Sequence, residues 1–214
     1  MLESSAKPPP SPRERLVAGA LRLMPNGLTF GAIFCGFTAL RLSGDHRFGW
    51  AMAAIGAAAL FDVADGFAAR RLNAASAFGA ELDSLGDFLN FGIAPAMVLY
   101  QRDLYRLGWS GWLIAACYVA ATLIRLARFN VSSKSGHVPE GPHMFRGLPS
   151  TAAALIALLA ALAASFAGPD LRAIALAAAV LVLAGLMISP MTVPSLQALH
   201  ERFRPHRREG EERR

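Results

Sequence analysis

Six apolar runs follow one another through this chain, near Asn26–Leu42, Trp50–Ala69, Gly79–Tyr100, Gly111–Phe129, Pro149–Phe166 and Leu171–Ser189. Crossing a hydrocarbon layer of about 30 Å takes roughly 20 helical residues at about 1.5 Å each. Lipid offers the backbone no hydrogen-bond partners, so runs of this kind must satisfy themselves as helices. The first and fifth runs are on the short side. Stretches such as AMAAIGAAAL and TAAALIALLAALAA are dense in small residues. Small residues let helices approach closely where lipid supplies no hydrophobic drive between them. Runs five and six carry no polar stripe, which argues against six long soluble helices. The hydrophobic share, 54% of 214 residues, exceeds what a soluble domain needs. The expected fold is an all-α polytopic membrane helix bundle with six transmembrane helices.

Three segments are expected. Residues 1–24 form a Pro- and Ser-rich disordered start leading into an amphipathic stretch, Glu14–Met24, with Leu16, Val17, Ala20, Leu21 and Met24 on one side. That pattern predicts a short N-terminal interfacial helix. The start has no apolar core or cleavage site of a signal peptide. Residues 25–196 form the membrane domain, with Pro190 and Pro194 ending the last run. Residues 197–214 form a basic tail. Cys35 and Cys117 lie in separate apolar runs and read as buried reduced thiols. His137 and His143 lack a third ligand and read as loop histidines.

Net charge is +6. Beside several apolar spans, such a balance points to loops facing anionic lipid rather than to nucleic acid. With the N-terminus inside, only Arg41, Arg47, Arg102, Arg106 and Arg172 of the 21 Lys and Arg fall outside. The positive-inside rule then puts both termini in the cytoplasm. The expected location is the cell (inner) membrane.

Four aspartates break the apolar pattern at the cytoplasmic ends of runs two and three: Asp62, Asp65, Asp83 and Asp87. An ionised carboxylate in hydrocarbon costs about 2.5–3.5 kcal/mol on insertion scales. Asp62 and Asp65 are i,i+3, and Asp83 and Asp87 are i,i+4, so each pair shares a helix face. Gly66 and Gly79 remove side chains on those faces. Four converging carboxylates are hard ligands for Mg²⁺ or Mn²⁺, with Ca²⁺ as a possible substitute. Two divalent cations held there would clamp a pyrophosphate and offset charge at a phosphorus under attack.

The full pattern is Asp62-x2-Asp65-Gly66-x2-Ala69-Arg70-x8-Gly79-x3-Asp83-x3-Asp87. It resembles the signature of the CDP-alcohol phosphotransferase family at every fixed position. The resemblance implies that Asp62, Asp65 and Asp83 are metal ligands. It implies that Asp87 both lies near the second metal and is the base for the acceptor hydroxyl. It implies that Gly66 and Ala69 leave room for cytidine, and that Asp65 and Gly79 also belong to the nucleotide site. Arg70 and Ser76 would reach the nucleotide or its phosphates, and Asn26 and Thr29 would face the nucleotide from the first helix. Residue chemistry alone also allows Arg70 to be a snorkelling arginine and Ser76 an N-cap.

Three further stretches, FCGF (34–37), RLARFN (125–130) and FRGLPS (145–150), resemble the branch of that family that uses L-serine, as does SPMTVPS (189–195). The chain departs from that branch at Thr151, where a second proline is usual, and in lacking the extra C-terminal spans of longer members. The resemblance implies transfer of the phosphatidyl group of CDP-diacylglycerol to L-serine with release of CMP. Family precedent adds a homodimer surrounded by membrane lipid. Arg125, Arg128, Asn130 and Arg146 would bind serine, whose carboxylate needs a cationic fork; residue chemistry alone also allows the arginines to be positive-inside anchors. Glycerol 3-phosphate or an inositol phosphate stays open as acceptor. A cation transporter using intramembrane carboxylates is the rival outside the enzyme class; the lack of an acidic span after Asp103 argues against it.

Overall fold

A computed structural model describes residues 12–72, 76–134, 144–189 and 192–194. The starting segment 1–11, His137, His143, Pro190 and the tail 197–214 lie outside the described residues. Apart from the connecting turns, those described are helical but for one three-residue antiparallel ladder. They belong to two compact units, Met1–Asn90 and Phe91–Arg214.

In the first unit, α1 (Pro12–Gly44) packs along α2 (Phe48–Arg71) and against α3 (Ala77–Asp87). The interfacial helix expected over Glu14–Met24 is not a separate element. It is continuous with the first span in a 33-residue helix that carries Pro25 inside it. Proline lacks an N–H, so only the Leu21 carbonyl loses its helical partner there. The turn into α2 is a Schellman motif: His46 N–H donates to Ser43 O at 2.9 Å, and Arg47 N–H to Leu42 O at 2.8 Å. His46 takes the left-handed position at φ 58. Ala32, Ala39, Ala51, Ile55 and Ala58 form the buried seam. Small side chains set the close spacing of α1 and α2. A Cβ at Gly31 would lie 3.3 Å from the Phe61 ring. On α3, a Cβ at Gly86 would lie 3.2 Å from Ile33 and 3.7 Å from the Thr29 methyl of α1.

The third apolar run is not one α-helix. After α3, Phe88–Ile93 is a π-helical stretch, followed by α4 (Ala94–Arg102). A π turn carries one extra residue, so the run stays helical from Ala77 to Arg102 but is widened at Phe88–Ile93.

In the second unit, α4 is followed by a 3₁₀ turn, Leu104–Leu107, and then by α5 (Trp109–Lys134). Next come α6 (Ser150–Ala163) with a 3₁₀ end, and α7 (Pro169–Ile188). Helix α7 packs on α5 and α6. Tyr118 on α5 is fully buried and donates its hydroxyl to Phe91 O at 3.1 Å, a carbonyl of the widened turn. An ionic cluster joins the ends expected to face outward. Asp103, fully buried, meets Arg172 Nε at 2.5 Å and an Arg102 terminal nitrogen at 3.6 Å. Arg102 also donates to Ala161 O at 2.7 Å and to Ser165 Oγ at 2.5 Å. At the other end, Met144–Arg146 pairs with Thr192–Pro194, with Phe145 opposite Val193. Gly147, at φ 77, sits where a Cβ would come within 2.6 Å of Met187 O. Only glycine fits that turn.

Four helical segments are long and apolar enough to cross a membrane: Met24–Gly44, Phe48–Arg71, Trp109–Ser132 and Pro169–Ile188. Ser150–Phe166 is a shorter apolar helix, in keeping with the short fifth run. Large apolar side chains face outward along them, among them Phe34, Leu60, Leu159 and Val182. In water such a surface would be costly; against lipid it is the solvated face.

Candidate active site

The aspartates are brought together by two helices resting on a third. Asp62 and Asp65 come from the last turns of α2, and Asp83 and Asp87 from α3. Ligand oxygens of Asp62, Asp83 and Asp87 lie within 4.8 Å of one another, all half-buried. Asp62 and Asp87 are also within hydrogen-bonding reach of each other. Asp65 is turned toward α1: its Oδ2 accepts from Thr29 Oγ1 at 2.7 Å, and the residue is buried. A second acceptor, Pro25 O, lies 3.1 Å from the same hydroxyl. One hydroxyl proton serves one acceptor at a time, and the shorter contact to a charged oxygen is the stronger.

Like charges this close repel by about 4 kcal/mol per pair at 4 Å and an effective dielectric of 20. A hard divalent cation removes that penalty. Oxygens on one such cation lie up to about twice the metal–oxygen distance apart, roughly 4–5 Å. The three clustered carboxylates therefore fit a cation in spacing and in ligand chemistry.

Around the carboxylates sit the other residues named from the sequence. Ser76 is the N-cap of α3, with Oγ accepting from Gly79 N–H at 3.0 Å. A Cβ at Gly79 would lie 3.1 Å from both Asn26 Oδ1 and Ser76 Oγ. Asn26, Ser76 and Gly79 therefore form one patch where the absence of a side chain keeps backbone accessible. Arg70 is exposed, and its guanidinium folds back over Gly66, 3.5 Å from where a Cβ would be. Ala69 is half-buried one residue earlier.

The other arginines belong to the second unit. Arg125 donates to Ser150 Oγ at 2.9 Å, tying α5 to the start of α6. Arg128 donates to Ile188 O at 2.9 Å, capping the last turn of α7. Asn130 is half-buried near the end of α5. The backbone of Arg146 lies in the ladder; its side chain lies outside the described residues.

Sequence reasoning passed over two features. The Asp103–Arg172–Arg102 cluster was visible only as scattered charges between runs. Asn90 is 1% exposed, and its Oδ1 has no hydrogen-bond partner among the described residues. The signal for Asn90 was present: a lone amide in the apolar stretch FLNFGIAP, three residues after Asp87.

A helical integral membrane protein with a hard-metal carboxylate cluster, built where two of its helices meet a third, is the class that fold and site define. A sequence model of the CDP-alcohol phosphatidyltransferase family matches residues 22–188, so the chain belongs to that family. It is 42% identical over 144 residues to a Mycobacterium bovis protein called CDP-diacylglycerol–serine O-phosphatidyltransferase, covering 65% of this chain and 50% of that one. Proteins of the same name are similar from Helicobacter pylori, at 37% over 142 residues (66% and 58% covered), and from Bacillus subtilis, at 38% over 111 residues (52% and 63% covered). The chain spans about half the length of the mycobacterial relatives it matches.

Proposed function

We propose that the protein transfers the phosphatidyl group of CDP-diacylglycerol to L-serine, giving phosphatidylserine and CMP. The serine hydroxyl oxygen bonds to the β-phosphorus, the bond from that phosphorus to the CMP oxygen breaks, and the hydroxyl proton passes to a carboxylate. The observation that carries this reading is the grouping of Asp62, Asp83 and Asp87 within 4.8 Å, in a chain of this family. The names of the relatives support serine as acceptor.

Asp62, Asp65, Asp83 and Asp87 hold two divalent cations, Mg²⁺ or Mn²⁺. Bound there, a cation stabilises charge at the phosphorus and the leaving oxygen. Asp87 takes the hydroxyl proton, which requires it to be within hydrogen-bond reach of the acceptor. Thr29 fixes which oxygen of Asp65 faces the ligands. Asn26, Gly66, Ala69, Arg70, Ser76 and Gly79 receive the cytidine and phosphates; the open backbone beside Gly79 and the guanidinium over Gly66 support this. Arg125, Arg128, Asn130 and Arg146 bind the serine carboxylate, supported by their grouping near the C-terminal end of α5 and after the following loop.

Six spans, counting α3–α4 and α6, would give a homodimeric enzyme of the inner membrane with both termini and the site cytoplasmic. Reporter fusions at residues 1 and 214 check this, and a C-terminal reporter active only outside would refute it. The functional test is an assay of purified protein with CDP-diacylglycerol, Mg²⁺ or Mn²⁺, and a panel of labelled alcohols. Serine is expected to be the acceptor, with no turnover in EDTA. Full activity in EDTA, or preference for glycerol 3-phosphate or an inositol phosphate, would overturn the respective part.

A further inference from the structure

The proposed reaction leaves one chemical group of its acceptor unaccounted for. A serine molecule brings an ammonium group with three N–H donors, and arginines cannot receive them. The first unit holds a buried acceptor that has nothing to accept. Asn90 lies one helical turn past Asp87, in the π-helical stretch Phe88–Ile93. Turns of this kind are rare and recur at functional sites. The residue is 1% exposed, and its Oδ1 has no hydrogen-bond partner among the described residues. A buried oxygen left unpaired bears its whole desolvation penalty. In a membrane span, polar groups are retained where they have work.

Helix α1 makes room for this amide. A Cβ at Gly36 would collide with Asn90 Oδ1, so only glycine admits it. Gly36 is the glycine of the FCGF stretch (34–37), which the metal and nucleotide residues leave without a role. An amide oxygen also suits the task electrostatically. It accepts from an ammonium without adding a fifth negative charge that would compete for the cations.

From these observations we infer that Asn90 is a specificity-determining residue that accepts a hydrogen bond from the ammonium group of the acceptor amino alcohol. The inference rests on the reading of the chain as a serine transferase.

The test compares L-serine with 3-hydroxypropionate, which keeps the hydroxyl and carboxylate but lacks the ammonium. Full-length wild type, Asn90→Ala and Asn90→Leu are assayed for CMP release, and their melting temperatures are measured in the same detergent. Leu keeps the branching of Asn and removes the orphan polar atom, but its methyl groups are bulkier against Gly36, so the preference between the two acceptors, and not the melting temperature, decides the outcome. Both variants are expected to raise the KM for serine about tenfold or more while leaving the KM for 3-hydroxypropionate and for CDP-diacylglycerol within about twofold. An unchanged preference for serine in either folded variant overturns the inference. So do equal losses on both acceptors in both variants, which mark a structural amide. Absence of serine-dependent CMP release in the wild type overturns the transferase reading instead.

Discussion

Thr29 on α1 donates its hydroxyl proton to Oδ2 of Asp65 on α2, 2.7 Å away, and its methyl group lies against Gly86 on α3. One small residue thus touches both helices that carry the acidic motif. Thr29→Val keeps the shape and methyl contact but removes the donor. The expected result is a kcat lower on the order of tenfold, a raised Mg²⁺ or Mn²⁺ requirement and a lowered melting temperature, since the buried Asp65 oxygen loses its donor. Rate measurements across a metal titration check it, and an unaltered metal requirement would show that Asp65 does not need this orientation.

Asp87→Asn should lower kcat and kcat/KM together, by roughly 10² to 10⁴-fold, with CDP-diacylglycerol still bound. An amide keeps the reach of Asp87 but cannot take a proton. The discriminating measurement is the rate at rising metal concentration. Recovery to the wild-type rate would mean that Asp87 serves only as a ligand.

Removing a ligand charge is a separate matter. Asp62→Asn and Asp83→Asn each take one carboxylate from the cluster within 4.8 Å. Turnover is expected to be lost in both, with direct Mn²⁺ binding weakened in parallel. Retained Mn²⁺ affinity in either variant would remove that residue from the ligand set.

Arg125 and Arg128 already hold protein groups, Ser150 Oγ and Ile188 O. If they also receive the serine carboxylate, Ala at either position raises the KM for serine and changes that for CDP-diacylglycerol much less. Matching losses for both substrates, with a lowered melting temperature, would assign them to holding α6 and α7 alone.

Asp103 should matter for stability and not for chemistry. Its carboxylate is fully buried between Arg172 and Arg102. Asp103→Ala leaves buried cationic charge uncompensated, which costs about 3–5 kcal/mol. Thermal unfolding in detergent should show the loss, while KM values for both substrates stay near wild type at low temperature. A melting point equal to wild type would mean that water already reaches the cluster.

Much of the site is legible along the chain because its signals are local. Asp62 with Asp65, and Asp83 with Asp87, share faces by helical periodicity alone, and a carboxylate in an apolar run is costly wherever the chain goes. Ser76 as an N-cap follows from its place before a helix. Helical membrane character follows from run length, since lipid leaves the backbone no other solution. Tertiary structure decided what depends on distance between elements. No spacing rule foretells that Thr29 would hold Asp65 from 36 residues away, or that Gly36 would make room for Asn90. The widening of the third run at a π turn was equally hidden, because one extra residue in a turn leaves composition and hydropathy unchanged. Likewise, Asp103 and Arg172 lie far apart in sequence, and only packing of α7 beside the end of α4 lets two isolated charges neutralise each other in a place where neither could be buried alone.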